Sequence, residues 1–181
     1  MQIYKRMAAG VLVLLAVGFI MGADEVKVTV TVSKMHMCCE SCTKAVEKAV
    51  TKVPGVEAKV EKESGEEDEG MAVLTAANYE TIQKAIDEIA NAGFHGDLDS
   101  GKVHFPPVNV SDAHATKLEI SNIHNCCKGC VKSIKEALAE VKGVTSNTVE
   151  PKKATFIVEG DFSPKEVVDA LMKDGFYPTV K

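Results

Sequence analysis

VSKMHMCCESCTKAVEKAVTKVPGV, Val32–Val56, leads from the end of an alternating apolar segment through a cysteine-dense turn into a helical pattern. Laid over ISNIHNCCKGCVKSIKEALAEVKGV, Ile120–Val144, it needs no gap, and the apolar positions coincide even where identities fail. That is the signature of an internal duplication, so the chain is read as two copies of one unit. NAGFHGDL, Asn91–Leu98, answers MKDGFYPTV, Met172–Val180, with shorter spacing in the second copy, where EPKK replaces the acidic connection EKESGEEDEG.

Each copy opens with a strand. Val26, Val28, Val30 and Val32 alternate with Lys27, Thr29 and Thr31, and Leu118 and Ile120 alternate with Lys117 and Glu119, so one face is buried and one is wet. After the cysteines, Val46, Val50 and Val53, and then Ile134, Leu138 and Val141, recur at i, i+4 and i+7 on a helix that Pro54-Gly55 or Gly143 ends. A hairpin is expected at Ala58–Glu61 with Met71–Thr75, and at Thr148–Glu150 with Ala154–Glu159. Ile82, Ile86 and Ile89 mark a second helix, whose counterpart starts at a capping box, Ser163-Pro164-Lys165-Glu166. Gly93 and Gly175 suit left-handed C-caps, after which a last strand is expected to begin at Phe94 or Phe176.

The order βαββαβ, twice, predicts an α+β protein of two tandem ferredoxin-like domains, each a four-stranded antiparallel sheet with two helices on one face. The expected boundaries are 24–99 and 116–181. Residues 100–115, rich in turn formers, read as a linker with a short strand at Val103–Phe105. His104 and His114 stand in that linker without evident partners. The acidic run Glu66–Glu69 reads as a solvated hairpin tip.

Residues 1–23 read as a signal peptide: Lys5 and Arg6 precede the apolar run Met7–Met21, and Met21-Gly22-Ala23 supplies small residues at a cleavage point. Export, to a periplasm or outside the cell, is the expectation, with an uncleaved anchor as the alternative. A net charge of −5 without basic clusters gives no footprint for phosphate backbones, so nucleic acid is not an expected partner.

All six cysteines fall in MHMCCESC, Met35–Cys42, and IHNCCKGC, Ile123–Cys130. Cys39 and Cys127 are placed near the start of a helix and Cys42 and Cys130 one turn on, so their sulfurs share a face, with Cys42 on the buried stripe and Cys39 toward solvent. The free N–H groups of a helix start favour the thiolates that metal binding needs. An odd count of three per copy leaves a thiol over from any internal disulfide, and a bond between adjacent cysteines such as Cys38–Cys39 would be strained. Cys39–Cys42 is a feasible bond, and Cys38 with Cys126 a feasible cross-copy one. Metal ligation uses all three sulfurs of each copy and gives His36 and His124 a reason to recur. Three thiolates and an imidazole make a zinc set, and two or three thiolates suit Cu(I), at about one ion per domain. Because the ligands of each copy lie within seven consecutive residues, His36–Cys42 or His124–Cys130, an ion constrains little of the unfolded chain, which favours cargo over structural metal.

These residues resemble the heavy-metal-associated domain family, which includes copper chaperones, modules of metal-pumping ATPases and an exported mercury-binding protein. The resemblance implies a βαββαβ fold and a Met-x-Cys-x-x-Cys loop holding Cu(I), Zn(II) or Hg(II). It assigns the metal to Cys39 and Cys42, through Met37-Cys38-Cys39-Glu40-Ser41-Cys42, and to Cys127 and Cys130. Asn125 in place of methionine, the added Cys38 and Cys126, and His36 and His124 depart from that loop and enrich the donor set. The resemblance also places Phe94, His95, Phe176 and Tyr177 near the metal loop; both phenylalanines suit core packing, His95 is an accessory candidate, and Met37 suits a core anchor. The implied role is a non-enzymatic metal buffer, scavenger or donor to a membrane transporter or another metal-binding protein. The alternatives are a thiol–disulfide redox protein using Cys39/Cys42 and Cys127/Cys130, or an interaction module with structural disulfides.

Overall fold

In the computed structural model the described residues are 27–62 and 68–181; the expected leader and the first half of the acidic hairpin tip, Glu66 and Glu67, lie outside them. The first unit runs β1 (Val28–His36), α1 (Glu40–Val50), β2 (Glu57–Lys62), β3 (Glu69–Ala76), α2 (Tyr79–Asn91) and β4 (Asp97–Leu98). The second runs β5 (Ala115–Ser121), α3 (Lys128–Glu140), β6 (Val144–Asn147), β7 (Phe156–Phe162), α4 (Pro164–Lys173) and β8 (Thr179–Val180). The strand orders are β2-β3-β1-β4 and β6-β7-β5-β8, with every pairing antiparallel. This is the ferredoxin-like α+β arrangement in both units.

The periodic residues do what their spacing requires. Val46 and Val50 on α1, Ile82, Ile86 and Ile89 on α2, and Ile134 and Leu138 on α3 are buried against the sheets. Each such side chain contributes roughly 2 kcal/mol to stability. Gly93 (φ 87°) and Gly175 (φ 80°) are the left-handed residues beyond α2 and α4, as a C′ glycine should be.

One local feature aims the site. The alternation of Val28, Val30 and Val32 would turn Lys34 inward, but Lys34 is left-handed (φ 56°) and the β1–β3 register slips between Val32 and Met35. This bulge expels the lysine and buries both Met35 and His36. Asn122 (φ 59°) ends β5 in the same conformation, which asparagine tolerates, and Ile123 behind it is buried.

Several expectations are corrected. Thr148–Glu150 is not a strand: Thr148 still donates its N–H to the Ile157 carbonyl at 3.0 Å, but Pro151, which lacks an N–H, and the left-handed Lys152 (φ 64°) then turn the chain; β6 is instead Val144–Asn147. Val103–Phe105 is not a strand: Val103 is buried, and Gln83 ties the backbone of His104 at 2.7 and 3.0 Å. Ser163 is the N-cap of α4 with Pro164 following, but its side chain makes no capping bond; Asn78, unflagged by the sequence reading, caps α2 by accepting from the Thr81 N–H at 2.9 Å. His114 meets Asp161 at 3.0 Å on the surface. The last strands start three residues after Phe94 and Phe176, because these two residues pair with each other across the units.

That antiparallel bridge joins the two units. The Gly175 carbonyl accepts the N–H groups of His36 (3.4 Å) and His95 (3.0 Å), and the Gly93 carbonyl accepts those of His124 (3.4 Å) and Tyr177 (3.0 Å). Asn122 adds a side-chain bond to the Ala90 carbonyl at 2.9 Å. Among the described residues no helix is long and apolar enough to cross a membrane.

Candidate metal centre

Both cysteine loops end at this junction. Cys39 and Cys127 are the N-caps of α1 and α3 in extended conformation, and neither thiol is spent on a capping bond. Cys42 and Cys130, one turn in, are fully buried. Cys38, Cys39, Cys126 and Cys127 are half-buried, and all six are free thiols.

The sulfurs form one cluster. Within the loops, Cys38 and Cys39 lie 3.8 and 3.7 Å from Cys42, and Cys126 and Cys127 lie 3.8 and 3.9 Å from Cys130. Contacts between the loops are as short or shorter: Cys38 to Cys127 3.4 Å, Cys38 to Cys130 3.6 Å, Cys39 to Cys126 3.5 Å and Cys42 to Cys126 3.7 Å. Cys39, expected to face solvent, therefore faces the other unit. Gly129 allows the approach, since a Cβ there would stand 2.9 Å from the Cys38 sulfur.

The histidines flank the cluster in crossed fashion. His36 stacks on Phe176 and His124 on Phe94, each pair with centroids 4.4 Å apart. The phenylalanines of each unit thus wall the loop of the other, where the family resemblance placed them beside their own. Nε2 of both histidines is buried without a hydrogen-bond partner. Such an orphan costs about 1–3 kcal/mol unless something else satisfies it. His95 stands apart from the sulfurs, donating from Nδ1 to the Met172 carbonyl at 3.0 Å and tilting against Phe105. Met37 is an anchor beneath the loop: it is fully buried, and a Cβ on Gly70 would meet its sulfur at 2.3 Å. Asn125, its counterpart, ties the loop by donating to the Glu150 and Lys153 carbonyls at 2.8 and 3.0 Å.

Proton affinity is unevenly spread. Burial raises the Cys39 thiol, but hydrogen bonds from the Cys42 amide and the Cys126 thiol outweigh it and bring the group down to about 7. Burial, with the neighbouring sulfurs, drives Cys38 and Cys126 well up. A hydrogen bond with Cys130 and burial drive Cys42 up, and the same bond holds Cys130 down against its burial. Burial also lowers His124, leaving the neutral imidazole that ligation requires.

Four groups of donors come within 4.8 Å of one another: His36, Cys38 and Cys130; Cys38, Cys39 and Cys42; Cys39, Cys126 and Cys127; Cys42, His124 and Cys126. Thiolates with imidazoles in a half-dry pocket suit thiophilic d10 cations. A cleft of about 340 Å³, lined in part by Asn122, His124, Cys126 and Lys152, opens onto one side of the cluster.

Residues 118–176 match the heavy-metal-associated domain family. The chain is 25% identical over 150 residues to heavy metal-associated isoprenylated plant protein 8 of Arabidopsis thaliana, a match covering 78% of this chain and 58% of that one. It is 22% identical over 165 residues to the human copper-transporting ATPase 2, covering 89% of this chain and 11% of the ATPase. The chain thus spans little more than half the length of the first and about a tenth of the second. The N-terminal soluble domains of Bacillus subtilis CopA align with 86% of this chain and 95% of theirs, at 19% identity and a TM-score of 0.32.

Proposed function

We propose that this chain is an exported, non-enzymatic carrier or buffer of soft metal ions, Cu(I) or Zn(II) with Hg(II) as a further ligand, bound at the junction of the two units. The observation that supports it is the convergence of six free thiols and two buried, unpartnered imidazole nitrogens. Burying these groups together is unfavourable in the empty protein and becomes favourable when a cation neutralises the thiolates. The family match and the copper-transporting relative support a metal role and suggest a membrane transporter as recipient. Export rests on the leader anatomy alone. The extent of the apolar core, which draws on the sheets and helices of both units, supports cargo over structural metal. A redox role is less suited, because each sulfur touches at least two others, so oxidation has no single outcome.

Competition titration of the reduced protein against chromophoric chelators tests the reading. About two Cu(I) or Zn(II) ions are expected per chain, and Cys39→Ser/Cys127→Ser should weaken both by more than about tenfold. Failure to bind either cation would end the proposal, and an unchanged affinity in the variant would remove those two residues from the site. Circular dichroism of the reduced, metal-free chain should show the folded spectrum; an unfolded chain would make the metal structural.

The thiol environments also set a pH dependence. Cys38, Cys42 and Cys126 hold their protons above the ordinary thiol range, so each ion must displace protons at neutral pH. Apparent affinity should therefore rise from pH 6 to pH 8, by up to about tenfold per pH unit for each proton displaced. Proton release measured in weak buffer during titration checks the count, and a pH-independent affinity would contradict the thiol assignment.

A further inference from the structure

The geometry points to two exchanged sites, in which the Cys-x-x-Cys pair of each unit is completed by the extra cysteine and the histidine of the other unit. One set is Cys39 and Cys42 with Cys126 and His124; the second is Cys127 and Cys130 with Cys38 and His36. This rests on the metal-binding reading above and changes its ligand sets, since the family resemblance implies one ion within each loop.

The distances carry it. Cys39, Cys42 and Cys126 form a closed triangle with edges of 3.5, 3.7 and 3.7 Å. Cys38, Cys127 and Cys130 form its counterpart with edges of 3.4, 3.6 and 3.9 Å. The centre of such a triangle lies at an edge divided by √3, about 2.1 Å from each sulfur, close to the ~2.3 Å of a metal–thiolate bond. The fourth donor completes each triangle from the same side of the junction as its third sulfur. His124 clusters with Cys42 and Cys126, and His36 with Cys38 and Cys130. His36 is 3% exposed, and its Nε2 has no hydrogen-bond partner. A Cys3His set around a point of this size suits tetrahedral Zn(II), and its three sulfurs alone suit trigonal Cu(I). The exchange gives Cys38 and Cys126 a role: neither is needed to close a Cys-x-x-Cys pair, and each sits closest to a sulfur of the opposite loop.

The consequence is that an ion in either site clamps the two units together, and that neither loop makes its full site alone. The test uses the full chain, reduced and handled anaerobically. In a Cys39→Ser/Cys42→Ser background one ion should remain, held by the second pair. Adding Cys38→Ser should then weaken the remaining Zn(II) or Cu(I) by more than tenfold, while adding Cys126→Ser should leave it nearly unchanged. In the mirrored Cys127→Ser/Cys130→Ser background the two effects should reverse. Zn(II) and Cu(I) titrations run in parallel distinguish the cations: further substitution of His36 in the first background should weaken Zn(II) more than Cu(I). Far-UV circular dichroism confirms that each variant is folded, and the mirrored background provides the reading should one pair fail to fold. If Cys126→Ser weakens the ion in the first background and Cys38→Ser does not, each loop binds its own ion and the exchange is wrong, with the proposed function intact. A parent chain that binds no metal would overturn both.

Discussion

Phe176→Ala should destabilise the metal-free protein by about 3–5 kcal/mol, the range for removing a large aromatic side chain from a closed core. Phe176 is fully buried, pairs with Phe94 across the junction, and its ring stacks on His36 at 4.4 Å. Its loss therefore leaves a cavity beside a histidine that belongs to the other unit. Urea unfolding of the reduced protein, followed by circular dichroism, measures the effect, and a loss below about 1 kcal/mol would mean that the ring is not packed as described. The crossed stacking adds a second expectation. Metal affinity in Phe176→Ala should fall further than in Leu171→Ala, which removes an equally buried side chain that has no ring to stack on His36. Equal losses in the two variants would show that the phenylalanine supports the fold without holding the histidine.

Gly93→Ala/Gly175→Ala should part the two units. Both glycines are left-handed, at φ 87° and 80°, and an L side chain in that region costs about 1–2 kcal/mol. The larger effect is steric. A Cβ on Gly175 would stand 2.2 Å from the His36 nitrogen, and one on Gly93 would stand 2.4 Å from the His124 nitrogen. Backbone cannot rotate away as a side chain can, so the junction must open, and with it the hydrogen bonds that both glycine carbonyls accept. The loss of stability should exceed about 4 kcal/mol, above the strain of the two left-handed positions alone, and metal affinity should fall by more than tenfold. Gly55→Ala isolates the conformational cost: φ is 85° there too, but a Cβ would meet nothing within 4 Å, so a loss of only about 1 kcal/mol is expected. If the double variant behaved like Gly55→Ala, the close approach of the units would not exist in solution.

The helices and most strands were readable because their causes are local. Val46 and Val50, or Ile134 and Leu138, face the core through a spacing that any single helix imposes, and Val28, Val30 and Val32 alternate because a strand does. The pattern misleads where an adjacent turn or a neighbour distant in sequence overrides it. At Lys34 the alternation points inward, and only pairing with β3 reveals the bulge that reverses it. Thr148–Glu150 has strand composition, yet Pro151 and the left-handed Lys152 turn the chain before the ladder can extend past Thr148. Val103 reads as strand but is buried outside any strand, with Gln83 of α2 holding the adjacent backbone.

By itself the sequence determined the element order and the chemistry of the donors: six thiols and two imidazoles, in two short loops that each lead into a helix. Which donor meets which was decided by the tertiary structure alone. Cys39 meets Cys126 and Cys38 meets Cys127 across separations of 87 and 89 residues. No periodicity within a loop encodes such a pairing. It follows from Gly93 and Gly175, which lack side chains and so let the ends of the two sheets approach until their backbones share hydrogen bonds.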